Sequence, residues 1–205
     1  MTLKIYGVAA SRAIRPLWAA EELGIPYEHI PVHYQDAALK APAYLALNPN
    51  GTVPAIDDGG LVLFESLAIT LHLARTCPEG GLWSQDSGAQ SQIVQWTLWA
   101  ATEAEPLARQ WFHHTSFLPP QSRRPELADA ALVQMQSRLR VIDERVKDQP
   151  YLLAEGFTVA DLNLAAVLQR LPELGGAAFP HALAWHQRCL ARPAAQRAMA
   201  LRQAS

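Results

Sequence analysis

At 205 residues, half of them hydrophobic, the chain is long enough to bury a substantial core in one large or two small domains. Lys and Arg total 17 against 19 for Asp and Glu, so no global field points to nucleic acid or an anionic membrane surface, and small molecules or proteins are the expected partners. Cys77 and Cys189 lie far apart with no CxxC and no His cluster at metal spacing, no apolar run approaches spanning length, and the chain opens almost directly on a strand, so no metal, signal peptide or membrane anchor is signalled and a cytoplasmic protein is expected.

Residues 3–6 alternate apolar and polar as a strand does, and a small-residue loop leads to Ser11. Ala13, Ile14, Leu17, Trp18 and Ala20 then share one broad helical side, closed by Gly24 and Pro26. Residues 27–31 read as a second strand, and a crossover of this length predicts a parallel pair. Residues 42–47 suggest a short helix, and Asn48-Pro49-Asn50-Gly51 is a turn by composition. Ala55-Ile56 and Leu61 to Phe64 flank Asp57-Asp58-Gly59-Gly60, the composition of a hairpin. Pro54 belongs at a strand start, where its missing N–H costs no ladder bond; roughly 5% of X-Pro bonds are cis, so its isomer stays open on sequence alone. Ser66 is a good N-cap for a helix over 67–76.

Cys77 to Gly81 breaks the pattern, and strand alternation is absent after Trp83. Residues 1–77 are therefore expected as an α/β domain, 78–86 as a linker and 87–205 as an all-helical domain. Ile93, Trp96, Leu98, Trp99 and Leu107 form one apolar segment with a bend expected near Pro106, and Leu132, Met135, Leu139, Ile142 and Val146 make one stripe. Thr158 and Asp161 make a capping box, with Phe157 and Leu162 placed as its hydrophobic staple, and only Asn163 is polar from 162 to 168, which predicts a buried hub helix. Segments 182–190 and 193–202 are expected to complete the helical bundle.

The run of Asn48-Pro49, Gly51, Val53-Pro54, a hairpin and Glu65-Ser66 opening a helix resembles the glutathione site of the glutathione S-transferase superfamily, and the resemblance spans the chain. It implies a thioredoxin-like N-terminal domain followed by an all-α domain, with the capped helix after Thr158 as a folding feature. It also implies a cis bond before Pro54, a Val53 backbone paired with the cysteinyl unit of glutathione, and Glu65 and Ser66 holding the γ-glutamyl end. Lys40 and Thr52 are implied contacts for the glycine carboxylate; Thr52 stands where many relatives carry a lysine, and a solvated Lys40 is an equal alternative. Glutathione is thus the implied co-substrate, and a homodimer the implied assembly.

Such an enzyme must present glutathione as its thiolate, and a free thiol with a pKa near ~8.5 is only a few per cent ionised at neutral pH. Ser11, four residues before Arg15 in the spacing of the serine, theta-like transferases, is the expected donor to the sulfur, with a plain helix cap as its structural alternative. Tyr6 is the rival phenol, or else a core tyrosine. Arg12 and Arg15 either lend positive potential or form ion pairs, and the absence of cysteine from 7–13 argues against the cysteine-type branches. Trp111 and His114, among Phe112, His113 and Phe117, are the implied lining of a hydrophobic electrophile pocket, or else core and surface residues. The expected function is addition of the thiolate to a hydrophobic electrophile; isomerisation, dehalogenation or peroxide reduction with glutathione, and a non-catalytic regulatory use of the fold, stay open.

Overall fold

A computed structural model describes residues 2–203. They form two compact units, one built from the chain up to Gln85 together with the stretch from Ala191 onward, the other from Asp86–Leu190.

In the first unit β1 (Leu3–Tyr6) lies at the centre of a four-stranded sheet of order β2-β1-β3-β4. Helix α1 (Ile14–Leu23) buries Ile14, Leu17, Trp18 and Ala20, as its spacing requires. It ends where Gly24 adopts φ 64° and returns its N–H to the Ala20 carbonyl, a left-handed cap that glycine takes without a Cβ clash. The chain then enters β2 (Tyr27–Ile30), parallel to β1. The short helix α2 (Pro42–Leu45) precedes β3 (Ala55–Asp58), which runs antiparallel to both β1 and β4 (Leu61–Phe64). Gly59 and Gly60, at φ 63° and 98°, close this hairpin as a two-residue turn, with Asp57 Oδ1 accepting the Gly60 N–H at 2.8 Å.

Helix α3 (Ser66–Thr76) starts one residue earlier than expected: Ser66 lies inside it and Glu65 is the cap residue, because the Glu65 carbonyl already accepts the Ile69 N–H at 2.9 Å. The expected end of the helical bundle also differs. Helix α9 (Pro193–Ala200) packs on α1, and the stretch from Ala191 belongs to the sheet-containing unit. Arg192 clamps the Glu22 carboxylate with Nε and Nη2, both at 2.8 Å, and Arg197 Nε reaches Glu21 at 2.6 Å. The fork geometry and the burial of Glu22 make the first pair the stronger.

The second unit is helical. Asp86 caps α4 (Ser87–Trp99), accepting the Ala89 N–H at 2.7 Å. The helix widens into a π turn over Ala100–Ala104 and continues as α5 (Glu105–Phe112), whose Pro106 has no N–H to give, so the expected bend takes the form of this π turn. Ile93, Trp96 and Leu107 are buried, but Leu98 is 58% exposed and lies outside the core. In α6 (Pro125–Arg145) the buried stripe is Ala128, Ala131, Met135, Leu139 and Ile142, with Leu132 at its half-buried margin. Every residue of α7 (Val159–Val167) is buried. The capping box forms, and the Asp161 carboxylate accepts from Thr158 N–H at 3.0 Å, Leu152 N–H at 2.8 Å and the Trp185 indole of α8 (Pro180–Leu190) at 2.8 Å. Burial pushes this carboxyl up, and these donors pull it back.

Next to Trp185, His186 is 2% exposed, and its Nε2 has no hydrogen-bond partner among the described residues. Burial pushes its imidazole down to about 4, against the opposing pull of the Ala165 and Leu168 carbonyls. The unfolded chain therefore takes up a proton below pH 6.5 that the folded chain refuses until about 4. Stability present above that window is lost as pH falls through it, by roughly 3 kcal/mol. His186→Leu is expected to flatten that part of the stability curve in urea unfolding across the window; an unchanged acid loss would place the sensitivity elsewhere.

Candidate active site

Sheet register builds the site. Tyr6, Ala55 and Phe64 lie side by side across β1, β3 and β4. The residues just beyond them, Gly7, Pro54 and Glu65, therefore emerge at one end of the sheet. Gly7 sits at φ 126°, where a Cβ would come within 2.9 Å of both Ala13 Cβ and Val53 Cβ. Its missing side chain lets the start of α1 and the Val53 segment close on β1.

The peptide before Pro54 is cis. The Thr52 carbonyl just ahead of it accepts from the Tyr44 hydroxyl at 2.8 Å and from Asn48 Nδ2 at 2.7 Å. Asn48 is buried, and its Oδ1 takes the Asn50 N–H at 3.0 Å, so the turn and the Val53 segment share one anchor. Lys40 folds over Gly51, with Nζ 3.1 Å from its carbonyl and 3.4 Å from that of Asn50.

Ser11 is partly exposed in the turn before α1. Its hydroxyl donates to the Val8 carbonyl at 2.7 Å and accepts the Ala13 N–H at 3.1 Å. Tyr6 packs edge-on against Tyr44, ring centroids 6.3 Å apart, in the small core of Leu39, Tyr44 and Ala55.

At the third corner Glu65 has φ 71°, the one positive value outside glycine among the described residues. A conformation of this kind costs on the order of 1–3 kcal/mol and persists only where its surroundings impose it. Here it turns the chain from β4 into α3. The first turn of α3 carries no acidic residue and no side-chain cap, so its positive end and N–H groups suit an anion. Ser66 stands in that turn, and its Oγ accepts from Arg15 Nη1 at 2.9 Å. Arg15 is 5% exposed, so a buried guanidinium from α1 lies beneath the α3 terminus. The sequence offers Arg15 only as a source of potential or an ion-pair partner and gives Tyr44 no functional signal, while Asn48 enters it as the opening of the turn and of the Asn-Pro run that carries the resemblance.

Ser11, Tyr6, Lys40, Thr52, Val53, Pro54, Glu65 and Ser66 thus all belong to the first unit. Trp111 and His114 belong to the second, both half-buried. His114 accepts the Arg124 N–H on Nδ1 at 3.3 Å, while His113 stacks on Phe117, Phe112 meets Phe117 at a tilt, and Arg170 lies 4.5 Å over the Phe112 ring.

Residues 1–75 match the family model described as glutathione S-transferase, N-terminal domain, and residues 106–193 match its C-terminal counterpart. The chain is 35% identical to glutathione S-transferase 4 of Zea mays, with 95% of this chain and 91% of that protein covered. It is 32% identical to a glutathione S-transferase of Hyoscyamus muticus, covering 99% and 100%. Among solved structures it is similar to the theta class glutathione S-transferase of Xanthomonas axonopodis pv. citri with glutathione bound, at a TM-score of 0.87 and 33% identity over 96% of each chain.

Ser66→Ala would remove this acceptor from the buried Arg15 Nη1. It is expected to cost about 2 kcal/mol in urea unfolding, although alanine is the better helix former. A neutral substitution would show that the bond contributes nothing net.

Proposed function

The chain belongs to the glutathione S-transferase superfamily and is a glutathione transferase, and we propose that Ser11 is the hydroxyl that stabilises the glutathione thiolate for attack on a hydrophobic electrophile. The observation that carries this reading is the hydrogen bonding of Ser11 in the turn that leads to Ala13, which with Val53 closes on Gly7. Its oxygen accepts the Ala13 N–H, which polarises the hydroxyl, while its proton rests on the neutral Val8 carbonyl. Rotation of the O–H from that carbonyl to a thiolate replaces a neutral acceptor by a charged one, and charge-assisted bonds are roughly twice as strong. A gain of about 1.4 kcal/mol lowers the thiol pKa by about one unit. Tyr6, with its ring set into the Tyr44 core, is the second candidate.

In this reading the Val53 backbone pairs with the cysteinyl unit ahead of Pro54. The Glu65 carboxylate accepts from the γ-glutamyl ammonium, and Ser66 with the α3 N–H groups holds its carboxylate. Lys40, whose ammonium has three donors, and Thr52 face the glycine carboxylate. Trp111 and His114 line the electrophile pocket of the helical unit, where aromatic walls suit an apolar substrate. No helix among the described residues is long and apolar enough to cross a membrane.

Removal of the hydroxyl tests the assignment. Ser11→Ala is expected to raise the thiol pKa of bound glutathione, followed by ultraviolet thiolate absorbance, and to lower kcat by about 10- to 100-fold with the pH–rate profile displaced to higher pH. Unchanged turnover would pass the role to Tyr6 or to backbone donors.

A homodimer is part of the same proposal. The edge strand β4 exposes Leu61 at 48% and Phe64 at 37%, and α4 exposes Leu98 at 58%, apolar surface of the kind a partner covers. Leu98→Glu is expected to convert a dimer to monomer in sedimentation velocity; a variant that sediments as the wild type does would remove α4 from the interface.

A further inference from the structure

Consecutive carbonyls in the turn before Ser11 take hydrogen bonds from different sources. The Gly7 carbonyl faces His29 Nε2 at 2.9 Å, and the Val8 carbonyl takes the Ser11 N–H at 3.0 Å and its hydroxyl at 2.7 Å. The Ala9 carbonyl accepts from Arg202 Nε at 3.0 Å. The first two donors are near in sequence or on the adjacent strand, whereas Arg202 lies 193 positions from Ala9. It stands beyond the end of α9, in the short 3-10 turn Leu201–Gln203. Helix α9 is already fastened to α1 through Arg192 and Arg197, so the contact of Arg202 with the loop adds little to docking the helix. Its effect falls on the loop.

Ala9 is fully buried, two residues ahead of Ser11. A buried carbonyl deprived of its donor is costly, and this turn, exposed at Ala10 and Arg12, relieves that cost by shifting until water reaches the oxygen. Such a shift displaces the Val8 and Ser11 geometry with it. We propose that Arg202 is a positioning residue for the thiolate step: its guanidinium, carried back by the C-terminal stretch, holds the Ala9 carbonyl and thereby fixes the loop from which Ser11 donates. The role rests on the assignment of Ser11 as the sulfur's partner. In this role Arg202 acts through Ser11, so its loss falls on the thiol and on turnover more than on the affinity for glutathione.

The test compares full-length wild type, Arg202→Gln, Arg202→Lys, Ser11→Ala, the double variant Arg202→Gln/Ser11→Ala, and Arg197→Gln as a control on the same helix. Thiolate absorbance of bound glutathione is titrated against pH, and kcat and KM for glutathione are measured below neutral pH. Arg202→Gln is expected to raise the bound thiol pKa and lower kcat about 3- to 10-fold while KM stays within about twofold, and to add nothing in the Ser11→Ala background. Arg197→Gln is expected to lower the melting temperature with the thiol pKa unmoved. A wild-type thiol pKa and kcat in folded Arg202→Gln, or an equal shift in Arg197→Gln, would overturn the role. If the glutamine variant does not fold, Arg202→Lys must still shift the thiol in the same direction, and an unshifted value overturns it. A Ser11→Ala protein with the wild-type thiol pKa would instead remove the Ser11 assignment, and with it any action of Arg202 through that residue.

Discussion

The absence of a side chain at Gly7 is the constraint on which the rest of the first unit depends. With Ala13 and Val53 both 2.9 Å from the place a Cβ would occupy, β1, the start of α1 and the segment before Pro54 close on one point. A side chain there would clash and would also strain the backbone at φ 126°. Register then fixes the rest: once Tyr6, Ala55 and Phe64 are abreast, the flanking residues Gly7, Pro54 and Glu65 have no other place to go than one end of the sheet.

Buried polar groups then lock what backbone geometry brings together. Arg15 ties α1 to α3 through Ser66, and Asn48 with Tyr44 holds the Thr52 carbonyl. In the helical unit Asp161 gathers the loop at Leu152, the start of α7 and Trp185 of α8 around one carboxylate. Each of these is demanding, because a low dielectric strengthens a satisfied bond and equally penalises an unsatisfied one. Each therefore admits one arrangement of its neighbours. The polar groups give the two units their specificity, and the apolar stripes of α1, α6 and α7 supply the burial.

Much of this was legible in the sequence because its signals are local. Gly24 after an apolar stripe, Gly59-Gly60 between strands and Thr158 three residues before Asp161 each specify a conformation through neighbours alone. The chain's order of a strand, a helix and a parallel strand came from the same kind of signal. What was illegible depends on partners remote in sequence. Nothing near Arg192 or Arg197 reveals that their carboxylates are Glu22 and Glu21, so the last helix reads as one more member of the bundle. The sequence places Leu98 in one apolar segment with Ile93 and Trp96 but cannot tell that it faces out, because an apolar run reports that residues are apolar, not which side the helix buries. Ser66 reads as the cap instead of the first helical residue, since the positive-φ turn at Glu65 has no glycine or asparagine to announce it. The contact of Arg15 with Ser66 was likewise hidden, as a helix arginine ordinarily points to water.

The grouping of the stretch after Ala191 with the sheet bears on the order in which the protein is made. The helical unit Asp86–Leu190 is continuous in sequence, so all of its contacts are available once it has left the ribosome. The sheet-containing unit is translated first, yet α1 waits for α9 to cover it and for Glu22 to meet Arg192, partners separated by 170 positions. Contacts this distant carry a large loop-closure entropy and form late. In the nascent chain α1 therefore stays uncovered, and Glu22 without Arg192, until the stretch after Ala191 has emerged, so the unit begun first is the later of the two to complete its packing.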